Sequence, residues 1–180
     1  MKSLFFIGLV VPEPLSNEIQ EIKTTFAARH FTSHGLHTLP HITLEAPFRV
    51  TAEELDLIKT GVKRIAYETR PFEIAIQGYG HFRKQVIYLH IVQNQLLLDI
   101  AQNISRLRHG NQSSTLNDFK PHITIAHKDL NALEFDRAWE ELKHKEFRAS
   151  FKSESISVLE HRNGRWEIHS TFSFKESGAV

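Results

Sequence analysis

The chain has 180 residues and 41% hydrophobic content, enough for one domain to bury a sizeable core, so a disordered chain is excluded. Its 22 basic and 21 acidic side chains leave a formal charge of +1, which gives no bulk field for gathering polyanions, and any contact with nucleic acid must be local. Cysteine is absent, which removes disulfides, thiolate metal sites and a cysteine nucleophile, and suits a cytoplasmic protein.

The first apolar run, Leu4 to Val11, follows Lys2 and has the outline of a short signal sequence. Pro12-Glu13-Pro14 comes at once, however, and no small-residue cleavage pattern precedes the next amphipathic segment, so the run is read as a buried strand. Leu15, Ile19, Ile22 and Phe26 then give a helical stripe, with the helix placed over Ser16 to His30. After a strand around His41, Thr51 and Glu54 form a capping-box pattern that opens a second helix carrying Leu55, Ile58, Val62 and Ile65. Phe72 to Ile76 alternates as a strand does, and Gly78-Tyr79-Gly80-His81-Phe82-Arg83-Lys84 reads as a loop before a strand over Gln85 to Val92.

The next helix, Asn94 to His109, places Leu97, Ile100, Ala101, Ile104 and Leu107 on one face. A polar loop, Gly110 to Asp118, leads into the strand around His122. Asn131 with Glu134 marks a further helix start, with Phe135, Ala138, Trp139 and Leu142 on its buried side. Phe147 to Glu160 and Arg165 to Phe174 read as two strands joined at Asn163-Gly164. No apolar run approaches the roughly 18 residues that a spanning helix needs, so no membrane partner is expected.

One word occurs twice: Pro40-His41-Ile42-Thr43-Leu44 and, 81 residues later, Pro121-His122-Ile123-Thr124-Ile125. In a strand, successive side chains alternate faces, so each copy sets an imidazole beside a hydroxyl on one face and buries its aliphatic residues on the other. Both copies follow a strand and a helix of similar length. Ile7 lies 34 residues before His41 and Tyr88 lies 34 before His122, which suggests duplicated half-units. The expected architecture is α+β: a single bilobal domain over residues 1–180, of duplicated strand-helix-strand units with halves of approximately 1–80 and 81–180. Two antiparallel-type sheets would flank a central groove into which the four polar groups converge.

These two His-x-Thr-x motifs resemble those of the two-histidine phosphoesterase superfamily, and specifically its branch of bacterial 2′-5′ RNA ligases and RNA 2′,3′-cyclic phosphodiesterases. Phe119-Lys120-Pro121-His122-Ile123-Thr124-Ile125 is especially similar to that branch. The resemblance implies a bilobal fold with a central groove and a catalytic role for His41, Thr43, His122 and Thr124, with His122 as base and His41 as acid. Members often carry an arginine shortly after the second motif, where this chain has His127 and Lys128. After the first motif the chain continues Glu45-Ala46-Pro47-Phe48, unlike the basic, glycine-containing continuation of ligase-like members.

The chemistry fits the residues. Opening a cyclic phosphodiester in line needs a base on the attacking water and an acid on the leaving ribose oxygen, and two imidazoles with ordinary pKa values of about 6.5 can divide those tasks. The hydroxyls would donate to the non-bridging phosphoryl oxygens. With a 5′-hydroxyl as nucleophile in place of water, the same site would join a cyclic phosphate to that hydroxyl and give a 2′-5′ linkage. The expected partner is RNA or a nucleotide bearing a 2′,3′-cyclic phosphate, and a monomer is expected. Phe48, Phe82, Arg83, Lys84 and His127 are candidate substrate contacts, the aromatics for stacking and the cations for phosphate. His34, His37 and His41 lie close in sequence, but neither a His-Glu-x-x-His helix nor cysteine accompanies them, so no metal and no cofactor are assigned. The alternative is an RNA- or nucleotide-binding module of the same fold without turnover.

Overall fold

A computed structural model describes residues 1–110, 119–127 and 130–175. In chain order the elements are β1 (Ser3–Val10), α1 (Leu15–His30), a 3₁₀ turn (His34–His37), β2 (His41–Val50), α2 (Ala52–Glu68), β3 (Phe72–Phe82), β4 (Val86–Ile91), α3 (Gln95–His109), β5 (His122–His127), α4 (Ala132–Leu142), β6 (Arg148–Ser153), β7 (Ser155–Arg162) and β8 (Arg165–Ser173). The strands form two four-stranded antiparallel sheets, one in the order β2-β1-β7-β8 and the other β5-β4-β3-β6. The α+β class and the paired antiparallel sheets agree with the sequence. No described helix is long and apolar enough to cross a membrane.

Local chemistry explains where the elements begin. At the start of α2 the Thr51 hydroxyl accepts from the Glu54 N–H at 3.3 Å while the Glu54 carboxylate accepts from the Thr51 N–H at 2.8 Å, a complete capping box. Asn94 and Asn131 cap α3 and α4 in the simpler way, their side-chain oxygens accepting from Leu97 N–H and Glu134 N–H at 2.8 and 2.9 Å. Asn163 and Gly164 turn between β7 and β8 with φ of 48° and 79°, values that suit asparagine and glycine. The apolar run at the N-terminus becomes β1, hydrogen-bonded on both sides, with Phe5, Ile7 and Leu9 in the core.

Three expectations are corrected by the sheets. Gly78 to Phe82 is strand rather than loop: β3 runs on to Phe82, and only Arg83 to Gln85 turn. Gly78, at φ 71°, sits in a bulge where the β3–β4 register shifts, and its N–H donates to the Phe147 carbonyl at 2.8 Å. The extra residue reverses the alternation, so Phe72, Ile74 and Ile76 point to the core while Phe82, beyond the bulge, reaches the groove. Phe147 to Glu160 is two strands rather than one: β6 pairs with β3 and β7 with β1, in different sheets, with Glu154 at the crossover.

The third concerns the halves. The sheets do not divide the chain near residue 80: the short turn after Phe82 makes β3 a hairpin partner of β4, and β7 and β8 return to the sheet of β1. The equivalent positions are also offset by one residue, since Gly8 pairs with Thr43 as Tyr88 pairs with Thr124. The spacing in sequence counts connectors of unequal length, whereas register counts only the strands. Helices α2 and α3 pack on each other and on the first sheet, α1 runs along β5 and the 3₁₀ turn, and α4 meets the second sheet where His81 rests against Phe135 and Trp139.

Candidate active site

β2 and β5 touch each other, one from each sheet, and the faces they turn away from their aliphatic residues line one cavity of about 700 Å³. Ile42, Ile123 and Ile125 are fully or almost fully buried on the opposite faces, and Leu44 is buried with them, so the alternation that locks each strand to its core also aims His41, Thr43, His122 and Thr124 into the groove. The volume falls in the range of small-molecule sites.

Both histidines are held in the same way. His41 Nδ1 donates to the Leu39 carbonyl at 2.7 Å, and His122 Nδ1 donates to the Lys120 carbonyl at 2.7 Å, each bond reaching two residues back along the chain. A carbonyl only accepts, so the proton is fixed on Nδ1 and Nε2 is left as the nitrogen that exchanges protons. Each ring is also backed by aromatics. His41 lies 4.6 Å from the Phe6 ring, which Trp166 meets edge-on at 4.7 Å. His122 lies 4.9 Å from Phe82 and 5.2 Å from Tyr88.

The electrostatics of the two differ in degree. Burial pushes His41 down from 6.5 to about 4, against the opposing pull of the Leu39 carbonyl, with Lys23 and His122 adding smaller repulsions. Burial also lowers His122, opposed by the Lys120 carbonyl. Lys23 on α1 is almost wholly buried at the edge of the cavity and donates to the Thr38 carbonyl at 2.6 Å, and burial lowers its ammonium to about 8. At neutral pH both imidazoles are therefore largely neutral and Lys23 largely charged.

His34, His37, His127 and His161 complete a lining that, among the described residues, holds six imidazoles, one ammonium and no carboxylate. The chemistry of such a surface suits an anion. Among the described residues, no three His, Asp or Glu side chains are grouped so as to hold a metal ion.

The remaining sequence candidates divide. Phe82 and His127 line the cavity. Phe48 does not: it packs against the core under the Arg108 guanidinium, 3.9 Å from its ring centroid, while neighbouring Glu45 meets His109 at 2.9 Å. The segment after the first motif therefore buttresses α3, because the Glu45 carboxylate meets the Arg108 and His109 side chains in the last turn of that helix. Lys84 turns to α4, where it meets Asp136 at 2.7 Å, and Arg83 is an exposed turn residue at φ 49° whose carbonyl accepts from His81. Neither lines the cavity. Of the polar loop Gly110 to Asp118, residues 111–118 lie outside the described residues, as does Lys128.

Of the lining residues that the sequence did not single out, His161, Trp166 and Lys23 carry a ring or a charge. His161 and Trp166 face each other across the β7–β8 hairpin, their rings 5.1 Å apart, and two such side chains in register beside an Asn-Gly turn are the signal that was available. Lys23 lies four residues after Ile19 and four before Ala27, on the apolar face of α1, where a lysine is out of place.

Comparison with known proteins agrees with this geometry. The 2'-5' RNA ligase superfamily model matches residues 11–165. A Geobacillus kaustophilus protein provisionally named a phosphoesterase is 29% identical over 169 residues, covering 92% of this chain and 94% of its own length. One from Geobacillus thermodenitrificans, named likewise, is 30% identical over 159 residues, covering 86% and 88%. Among solved structures, TT0787 of Thermus thermophilus superposes with a TM-score of 0.72 at 19% identity, covering 97% of this chain and 99% of that one. E. coli LigT complexed with 3'-AMP superposes at 0.69 and 18%, with the same coverage. A family model spanning most of the chain, over a fold with its two histidine strands facing one cavity, makes this chain a member of the 2'-5' RNA ligase superfamily of two-histidine phosphoesterases.

Proposed function

We propose that the protein is a metal-independent cyclic phosphodiesterase that opens the 2′,3′-cyclic phosphate of RNA or of a nucleotide, in the cytoplasm. The observation that carries the reading is the matched pair: His41 and His122, each with Nδ1 committed to a carbonyl two residues back, lining one cavity beside Thr43 and Thr124. A ligand bound only for affinity would be served better by arginine, whose charge is permanent. Paired imidazoles with fixed tautomers suit proton transfer.

In this reading the cyclic phosphate lies between the two rings. His122 Nε2 takes a proton from the attacking water while the imidazolium of His41 gives its proton to the departing ribose oxygen on the far side of phosphorus. The P–O bond to water forms, the bond to one ribose oxygen breaks, and a phosphomonoester results. Thr43 and Thr124 donate to the non-bridging oxygens as their charge grows. Because burial holds His41 neutral in the free site, it acquires its proton when the phosphate anion arrives and stabilises the imidazolium. With a 5′-hydroxyl attacking phosphorus in place of water and the 3′-oxygen leaving, the same pair of proton transfers gives the 2′-5′ joining reaction. The relatives' naming and the nucleotide in the LigT crystal support a nucleotide-sized phosphoester.

The test is incubation of the protein in chelator with nucleoside 2′,3′-cyclic monophosphates. We expect ring opening that either His41→Ala or His122→Ala abolishes. A folded protein that binds the product and opens none of them would turn the reading toward a binding module.

A further inference from the structure

A second cavity, of about 420 Å³, adjoins the first and shares His37, Thr38 and Trp166 with it. Its floor is apolar: Leu36, Leu39 and Ile168 line it with 38%, 42% and 46% of their surfaces exposed, side chains that a protein would ordinarily cover. Trp166 stands between the two cavities, on the same face of β8 as Ile168, with its edge against Phe6. Arg165 lines the same hollow, and Gln20 and Glu167 supply polar groups to it.

We propose that this second cavity is the subsite for the nucleoside on the 5′ side of the nucleotide bearing the cyclic phosphate. The proposal rests on the phosphodiesterase reading above and deepens it: the preferred substrate is an oligonucleotide end rather than a mononucleotide. A chain leaving the catalytic cavity passes Trp166, and its next base meets the indole and the Leu36–Leu39–Ile168 floor. Arg165 is placed to neutralise the linking phosphate, and Gln20 and Glu167 meet polar edges of the base or ribose. Continuity with the catalytic cavity and the pairing of an apolar floor with a guanidinium favour a nucleotide over a purely apolar occupant, which would have no use for the cation. One base stacked on an aromatic side chain contributes about 1–3 kcal/mol, equivalent to roughly 5- to 150-fold in affinity.

The experiment compares adenosine 2′,3′-cyclic phosphate with adenylyl-adenosine ending in a 2′,3′-cyclic phosphate, and measures binding of adenosine 3′-phosphate and of the dinucleotide 3′-phosphate by calorimetry. Wild-type protein is expected to prefer the dinucleotide roughly 5- to 150-fold in kcat/KM and in affinity. Ile168→Glu, a change at a half-exposed strand position, should bring the dinucleotide to the mononucleotide's level and leave the mononucleotide unchanged, while Ile168→Val keeps the preference. Equal handling of the two by wild-type protein, or a preference that survives Ile168→Glu, overturns the subsite. Tighter dinucleotide binding that Ile168→Glu abolishes, with neither cyclic phosphate opened, overturns the phosphodiesterase reading and upholds the subsite.

Discussion

The strands β2 and β5 carry nearly the same word and set it in different surroundings. Opposite Thr43 in the ladder sits Gly8, and opposite Thr124 sits Tyr88. A side chain at Gly8 would bring its Cβ to 2.7 Å from the Ile42 carbonyl oxygen, so β1 is bare where it passes the first motif, and Phe6 packs on His41 instead. Around His122 the neighbouring strands contribute Phe82 and Tyr88. The first ring also has Lys23 near it and sits in the drier place, which is why it is the more strongly depressed. The repeated word fixes the geometry of each imidazole through its own backbone. Protonation in the free site is set by what other parts of the chain bring to each ring. That difference alone keeps His41 the more firmly neutral ring, and its role as acid requires the arriving phosphate to restore its proton.

Removing either imidazole is the largest test of this pairing. His41→Ala and His122→Ala should each lower kcat by roughly 10² to 10⁴, with the double variant losing little more than either single one, because neither proton transfer works without the other. Additive losses, measured by steady-state cyclic-phosphate opening, would break the pairing. Thr43→Val and Thr124→Val keep shape and remove one donor each. A loss on the order of 10² in kcat with KM little changed is expected if each donor acts on charge that develops in the transition state. A rise in KM alone would assign the hydroxyls to ground-state binding.

The pH dependence sharpens the comparison further. In the free protein the two titrating groups are His41 at about 4 and His122 below its ordinary value of 6.5. A site that needs one imidazole protonated and the other neutral is most populated between those two values, whichever ring is the acid. The profile of kcat/KM should therefore be a bell on the acid side of neutrality, falling above as the second proton is lost and below as the second is gained. An optimum above pH 7 would contradict the burial that lowers both groups.

Much of this site could be read from the chain because its parts are local. A histidine bonded to the carbonyl two residues back needs only its own strand, the capping box needs four residues, and the Asn163-Gly164 turn needs two. What escaped reading depends on register and on pairs distant in sequence. Tyr88 lies over Gly80 across a ladder, the Gly78 bulge reverses a face in mid-strand, and Phe48 is claimed by Arg108, 60 residues later. An aromatic after a motif looks the same in sequence whether it faces a ligand or a helix end. The long strand predicted over Phe147 to Glu160 failed for the same reason, since nothing local says that Ser153 and Ser155 pair in different sheets.

Gly80 gives a direct probe of one wall. A Cβ there would lie 2.6 Å from the Tyr88 ring, so Gly80→Ala forces that ring to move from its place beside His122. A stability loss of about 1–3 kcal/mol in chemical denaturation is expected. With it the His122 titration, followed by its ring-proton shifts, should move while that of His41 stays. Movement of both would show that the two walls are mechanically one.

Lys23→Met makes the smallest change and isolates the other wall. The Lys23 ammonium is a positive charge near His41, and its presence disfavours a second positive charge on the imidazolium. Taking it away should raise the His41 pKa above about 4 but leave it below 6.5, because burial is the larger cause and remains. Lys23→Arg, which keeps the charge, should leave the titration where it was. The methionine also loses the hydrogen bond to the Thr38 carbonyl, three residues before His41. A shift caused by a slackened connector would therefore appear in the arginine variant too if that side chain fails to reach the carbonyl. A rise in methionine without a rise in arginine assigns the effect to charge. Because His41 is the lower of the two groups, the acid limb of the bell should move with it, whereas movement of the alkaline limb would show that His41 is the ring that holds its proton longer.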